Sequence, residues 1–447
     1  MARRRQRRRN KPLPTETVQV EIESLSHEGR GVARVDGKTL FVDGALPQER
    51  AEVQYTYQRG QFDEGRALKI ENPHTDRVDP PCQHFSVCGG CSLQHLSCDA
   101  QIKHKQQILK EQLAHFAGTQ PLTWLQPLQA DTLGYRRKAR LGVRYVSKKQ
   151  KVLIGFREKY SNFLAEIDDC PVLVQEVSQL LIPLAEMIAQ LEVKFHIPQI
   201  EVSCGDDQVC LIVRHLQAMS DADRQLWVDF AKQHEIIVYL QPKGPKTVHR
   251  IWPLEQEKAQ ISYNLAEYQL EMLAEPLDFT QVNAQINCKM IPLALGLLDL
   301  QKEDRVLDLF CGIGNFTLPI ATQVSHVVGV EGVDEMVKRA SNNALHNGLD
   351  NAHFYQADLA ADITNLEWSK QSYNKILIDP ARSGALEVID NIIKIAPEKI
   401  VYVSCNPATL ARDTGELVKA GYRLITAGVM DMFPHTTHVE SIALFEK

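Results

Sequence analysis

The chain has 447 residues, a formal net charge of −6, and 44% hydrophobic against 24% charged residues. This is the balance of an ordinary globular protein with length for about three domains. No run of about 18 apolar residues occurs, and no apolar segment follows the N-terminal arginines, so neither a transmembrane helix nor a secretory signal is expected. A cytoplasmic protein is expected, and ten cysteines in such a chain do not read as a disulfide scaffold.

Residues 1–16 open with MARRRQRRRNK, seven basic side chains and no acid. Such a run repels itself and has nothing to bury, so it predicts a disordered arm suited to phosphate. Residues 17–75 hold the short β-like runs VQVEIESL, GVARVDGKTLFV, RAEVQYTYQRG and EGRALKI, punctuated by glycines. Closely spaced strands with glycine turns predict a small β-barrel. The run SHEGRGVARVDGKTLFVDGALP resembles the TRAM domain, an OB-like barrel found on RNA-modifying enzymes. That resemblance implies RNA affinity through backbone and stacking contacts.

ENPHTDRVDPPC is a proline-broken linker into a middle region, residues 76–269. QIKHKQQILKEQLAHF reads as a helix, while ARLGVRYV, KVLIGFRE, QIEVSCG, QVCLIVRH and IIVYLQ read as strands, predicting an α+β domain. Between Tyr135 and Lys159 stand Arg136, Arg137, Lys138, Arg140, Arg144, Lys148, Lys149, Lys151, Arg157 and Lys159, against the single acid Glu158. Tyr135, Tyr145, Phe156 and Tyr160 interleave them. In RLGVRYV the arginines alternate with Leu141, Val143 and Tyr145, so one strand face is basic. A solvated face is the plain reading; the excess of bases in an acidic chain favours a polyanion surface.

Cys82, Cys88 and Cys91 stand as C-x5-C-x2-C. Three thiols this close suit a soft metal or an iron–sulfur cluster, whereas structural zinc commonly takes paired CxxC units. The spacing differs from the C-x3-C-x2-C of radical S-adenosylmethionine enzymes. A fourth ligand is open between the nearby Cys98 and Cys170, which precedes a proline.

From residue 270 onward, the apolar runs RVLDLF, HVVGVE, AHFYQAD, NKILIDP and KIVYVSC alternate with helical segments. This predicts an α/β, Rossmann-like domain with a mostly parallel sheet and ligands at the strand C-termini. Asp308 and the turn Cys311-Gly312-Ile313-Gly314-Asn315-Phe316 follow the first strand; Glu331 and Asp358 close the second and third. A GxG turn alone fits dinucleotides too, but Thr317 stands where GxGxxG needs its last glycine. A carboxylate for the ribose and another for the adenine edge favour S-adenosylmethionine.

Cys405, in VSCNP, lies where a strand ends and a helix begins. Methylating C5 of a uracil requires a thiolate to add at C6 and a base to remove the C5 proton afterwards. Cys405 suits the first task, with its pKa expected to fall at the helix N-terminus; Glu440 suits the second. Asp379, in Asp-Pro-Ala-Arg, lacks the Pro-Pro-aromatic pattern of amino-methylases, and that motif holds no cysteine of the cytosine-C5 kind.

The motifs FCGIGNFTLP, DPAR, VSCNP and HVE across residues 270–447 resemble the RNA uracil-C5 methyltransferases of the RumA/TrmA type. The resemblance implies Cys405 as nucleophile and Glu440 as proton-abstracting base. It implies Gln281, Phe310, Asn315, Glu331, Asp358 and Asp379 as holders of S-adenosylmethionine, and a [4Fe–4S] cluster on Cys82, Cys88, Cys91 and Cys170. Barrel, cysteine set and catalytic domain together match the subfamily that modifies 23S rRNA, so a monomer acting on that RNA without a membrane is expected. A transfer-RNA uracil methylase, an RNA cytosine-C5 methylase and a non-catalytic RNA-binding assembly factor are the alternatives.

Overall fold

The structure, a computed structural model, describes residues 13–255, 260–361, 363 and 365–447. The expected basic arm thus lies, through residue 12, outside the described residues. The chain divides into two compact units: one holds the chain through Phe85 with Gly89–Gln101 and His435–Thr437, the other Ser86–Cys88, Ile102–Pro434 and His438–Lys447.

In the first unit six strands form one sheet: β1 (Val18–Glu21), β2 (Ser24–Leu25), β3 (Gly31–Val35), β4 (Lys38–Asp43), β5 (Arg50–Gln58) and β6 (Phe62–Glu71), in the order β1-β5-β6-β4-β3-β2. Alternate residues turn inward, burying Val20, Ile22, Ala33, Leu40, Val42, Ala51 and Val53, as period-two patterning requires. Glu49 is fully buried. Burial alone would raise its pKa, but Arg77 and the amides of His74 and Leu46 hold the carboxyl below its usual range.

Helix α1 (Cys98–Gln112) leads into the second unit, where β7 is Thr123–Trp124. Strands β8 (Lys138–Val146), β9 (Lys151–Gly155), β10 (Gln199–Cys204), β11 (Val209–Arg214), β12 (Ile237–Gln241) and β13 (His249–Trp252) make a second sheet, ordered β13-β12-β11-β10-β8-β9. Helices α2 (Gln175–Ser178), α3 (Leu181–Gln190) and α4 (Asp221–Gln233) fall within its connections. The hairpin β14 (Ile261–Leu265) and β15 (Leu270–Ala274) follows.

The third sheet carries the chemistry. After α5 (Ala284–Leu298) come β16 (Arg305–Leu309), α6 (Thr317–Ala321), β17 (His326–Glu331), α7 (Asp334–His346), β18 (Ala352–Gln356), β19 (Lys375–Ile378), α8 (Leu386–Ile395), β20 (Lys399–Ser404), α9 (Pro407–Lys419), β21 (Arg423–Met430) and β22 (Glu440–Glu446). The order is β18-β17-β16-β19-β20-β22-β21-β7, with β16 to β20 parallel and β22 antiparallel to both neighbours. Val306, Val327, Leu377 and Val401 feed one face of the core, and Leu307, Val328, Ile376 and Ile400 the other. A sheet buried on both faces accounts for the continuous apolar runs in its sequence. The chain order reverses between β16 and β19, which opens the usual ligand crevice beyond the strand ends. Among the described residues no helix is long and apolar enough to cross a membrane.

Candidate active site

Phe310, Glu331 and Asp358 line one cavity of about 640 Å³ with Gly332, Ser383, Gly384 and Arg412. The connections after β16, β17, β18 and β19 thereby meet at one edge. Glu331 ends β17, and its carboxylate is oriented by backbone amides: Oε1 accepts from Gly332 and Val333, Oε2 from Gly312. Asp358 stands two residues beyond the end of β18, with Oδ1 accepting from the Ala360 amide.

Phe310 is a non-glycine residue at φ 64°, a conformation held only where surrounding structure compels it and common at ligand sites. Gly314 needs its φ of 95°, and a Cβ there would strike the Leu318 side chain. Beneath the turn Asp308 is buried. Its Oδ2 accepts from the Thr317 hydroxyl, while Oδ1 has no hydrogen-bond partner. Burial, with Asp379 and Glu331 nearby, pushes this carboxyl up to about 8. A shaped cavity, two accessible acids and a buried polar atom lacking a partner fit a ribosyl sulfonium donor.

The other three residues expected at the donor, Gln281, Asn315 and Asp379, do not line this cavity. Gln281 lines a cavity of about 430 Å³ with Tyr263, Asn287 and Arg137. The Asn315 amide is engaged: Oδ1 accepts from Tyr263 at 3.0 Å and Asn287 at 3.0 Å, and Nδ2 donates to Asn287 at 2.9 Å. Tyr263 and Asn287 were not legible beforehand, because nothing local marks a hydrogen bond between residues this far apart in the chain.

Cys405 and Glu440 face each other across two strands. Ser404 pairs with Ser441 in the β20–β22 ladder, so the residue after the first and the residue before the second stand at one edge. Asp379 also stands at this edge, for it directly follows β19, whose Ile378 pairs with Tyr402. Burial, then the charges of Glu440 and Asp379, push the Cys405 thiol up to about 11, against a smaller opposing effect of Arg382. The lowered pKa expected from the helix N-terminus is therefore corrected: Asn406 already fills the first free amide of α9 with its side chain, and burial, then the two carboxyl groups, outweigh the helix end. Burial and Asp379 likewise push Glu440 up to about 8, opposed by Arg382 and Lys105.

Arg382, His438 and Lys105 complete the surroundings. Arg382 Nη2 lies 3.0 Å from His438 Nδ1, and the Arg382 carbonyl accepts from Asn406 Nδ2 at 3.1 Å. Lys105, on α1, is buried and donates to Asp431 Oδ1 at 2.7 Å and to the Phe433 carbonyl at 2.9 Å. It thereby fixes the start of the segment that returns to Glu440. Of the expected cluster ligands, Cys88 and Cys170 are buried and Cys82 and Cys91 half-buried. Gln94 Oε1 accepts from the Cys82 amide, and Ser178 Oγ from the Cys170 amide.

Comparison with known proteins places this geometry. The family described as tRNA (Uracil-5-)-methyltransferase matches residues 97–447, and the TRAM domain matches residues 13–68. A protein of Alcanivorax borkumensis named 23S rRNA (uracil(1939)-C(5))-methyltransferase RlmD is 53% identical over 426 residues, 95% of this chain and 96% of its own. One of the same name from Nitrosococcus oceani is 52% identical, covering 96% of each chain. The crystal structure of Pyrococcus abyssi tRNA (uracil-54, C5)-methyltransferase with S-adenosyl-L-homocysteine shares the fold, with TM-score 0.72 over 96% of this chain and all of that one, at 23% identity. The chain therefore belongs to the tRNA (uracil-5-)-methyltransferase family, with a TRAM domain preceding its catalytic part.

Proposed function

We propose that the protein methylates C5 of one uridine in 23S rRNA, the position that its relatives' names number 1939. The observation carrying this reading is the placement of a thiol and a carboxyl at the end of the β20–β22 ladder, on a sheet whose strand ends also line a donor-sized cavity. Glu331, Asp358 and Phe310 would hold the donor, with Gln281, Asn315 and Asp379 also assigned to it. S-adenosylmethionine supplies a methyl group made electrophilic by its sulfonium.

The residues of the chain do the rest. Cys405 gives up its proton to solvent and the thiolate Sγ bonds to C6 of a flipped uridine. The electron pair of the C5–C6 bond moves toward C5 and the O4 carbonyl, and C5 takes up the methyl group as the methyl–sulfur bond breaks, leaving the donor as a neutral thioether. The Glu440 carboxylate then removes the C5 proton, the double bond re-forms, the C6–S bond breaks and the thiolate leaves. A carboxyl with its pKa near 8 retains the transferred proton readily, and Arg382 beside it favours the ionised state needed to begin.

The purified protein, given a 23S rRNA fragment and the donor, should place 5-methyluridine at a single position by mass spectrometry of nuclease digests. 5-Methylcytidine there would transfer the reading to the cytosine enzymes, and no modified base would leave an RNA-binding factor.

We also assign residues 17–75 to the barrel, 76–269 to RNA recognition and 270–447 to catalysis. Cys82, Cys88, Cys91 and Cys170 would hold a [4Fe–4S] cluster, a reading supported by four soft donors of which two are buried. The expected outcome of anaerobic purification is about four irons per chain, lost in Cys170→Ser. Stoichiometric zinc would contradict it.

A further inference from the structure

Outside the catalytic edge, one surface combines exposed cations with exposed aromatic rings on a fixed backbone. On β8 the alternation buries Ala139, Leu141 and Val143 and leaves Arg140 and Arg144 exposed. About 13 Å separates residues four apart along a strand. Between them Gly142 admits Leu164, for a Cβ there would come within 2.5 Å of that side chain. The Phe156–Ala165 segment therefore crosses this basic face.

Backbone bonds hold that segment closed: Glu158 donates to the Phe163 carbonyl and Ala165 to Phe156, each at 2.9 Å. Its tip is pinned by Ser161, which donates to Glu158 and accepts from the Phe163 amide. Its base is tied by the Cys88–Glu158 bridge and by the Lys159 amide donating to Val87. From this anchored turn Tyr160 and Phe163 stand 46% and 68% exposed. Large rings held open to water by a rigid turn lose little freedom when a flat partner stacks on them.

The charges around the turn differ in availability. Lys149 and Lys151 are both engaged by Glu166, and Arg140 by Glu201 at 3.2 Å. Among the described residues neither Arg144 nor Arg157 pairs with a carboxylate, and both are exposed. The strand also points back to the reaction: Arg136, just before β8, lies over Phe156 at 5.8 Å, and its charge acts on His438, two residues from Glu440.

We propose that the outward face of β8 and the Glu158–Phe163 turn bind the single-stranded RNA flanking the target uridine. Tyr160 and Phe163 stack on bases, and Arg144 and Arg157 contact phosphates. The inference rests on the RNA-methylating function proposed above and gives that function a docking path. Rings serve any base, since each offers a π face, so this surface supplies affinity and direction rather than sequence readout.

The test uses the full-length protein, with the Tyr160→Ala/Phe163→Ala and Arg144→Glu/Arg157→Glu variants. Binding of a fluorescent single-stranded 23S fragment and of a duplex of the same sequence is measured across salt. The aromatic variant should lose about tenfold to a hundredfold in affinity for the single strand and little for the duplex. The arginine variant should weaken binding at low salt and flatten the salt dependence by about one counterion per arginine removed. Parental affinity in both folded variants overturns the proposal; so does an equal loss on single strand and duplex in the aromatic variant. If the unaltered protein methylates no RNA, the function has failed; if it methylates RNA and the variants bind as it does, only the surface has failed.

Discussion

Glu440 keeps its proton up to about pH 8 because burial and the neighbouring Asp379 oppose ionisation more than Arg382 and Lys105 favour it. Base and thiol must both be ionised to act, so kcat/KM should rise with pH through about 8 and keep rising toward the thiol's value of about 11 rather than sit flat from pH 6. Asp379→Asn removes a like charge and should move the rising limb toward lower pH; an unmoved limb would exclude Glu440 as the group observed. At this scale the placement of Cys405 and Glu440 at adjoining strand ends was legible, because VSCNP closes one apolar strand run and HVE opens another. The thiol's raised pKa was not, since it depends first on burial and then on Glu440 and Asp379 converging on Cys405 from other strands. The Arg382–His438 and Asn315–Asn287 contacts were illegible for the same reason.

Strands β19, β20 and the segment after them are locked by one buried carboxylate. Asp413, on α9, is fully buried and accepts from the Tyr402 hydroxyl at 2.7 Å, the Ala385 amide at 2.7 Å and Arg412 Nε at 2.8 Å. Asp413→Ala would leave buried donors unpaired, a loss of about 3 kcal/mol or more. It should appear as a lower Tm by differential scanning fluorimetry, and an unchanged Tm would remove Asp413 from this role. The apolar strand runs marked the parallel sheet correctly in sequence, since burial on both faces writes itself into every position. The end of β18 was less visible: Asp358 falls two residues past it, because an exposed edge strand carries a weaker pattern.

For the whole molecule, the catalytic unit stores carboxyl groups in their protonated form. Asp308 and Glu440 lie near 8 and Asp379 near 7, all above their unfolded values of about 4. A group whose folded pKa is raised binds its proton more tightly when folded, so its stabilising contribution is lost as pH climbs from about 4 through 8. Asp308→Asn should accordingly raise Tm at pH 8 more than at pH 5; equal shifts at both would show that Asp308 is ionised when folded. The barrel and most of the catalytic sheet were readable because each is built from a contiguous segment; β7, which joins the catalytic sheet from Thr123–Trp124, was not. The inclusion of His435–Thr437 in the barrel's unit was not: His435 joins it through its carbonyl, which accepts from the Ser92 and Leu93 amides, and through its own amide, which donates to Gln101. Backbone pairing of that kind leaves no trace in residue type.

The central claim is that the Cys405 sulfur bonds to C6 of the target pyrimidine. Its most direct test is mass spectrometry of the protein after incubation with S-adenosylmethionine and a 23S fragment carrying 5-fluorouridine, whose C5 offers no proton to remove. The account predicts a stable RNA adduct on the peptide containing Cys405, bearing one added methyl group and absent from Cys405→Ala. Normal methylation of unfluorinated RNA by Cys405→Ala, with no adduct in the parent, would contradict it.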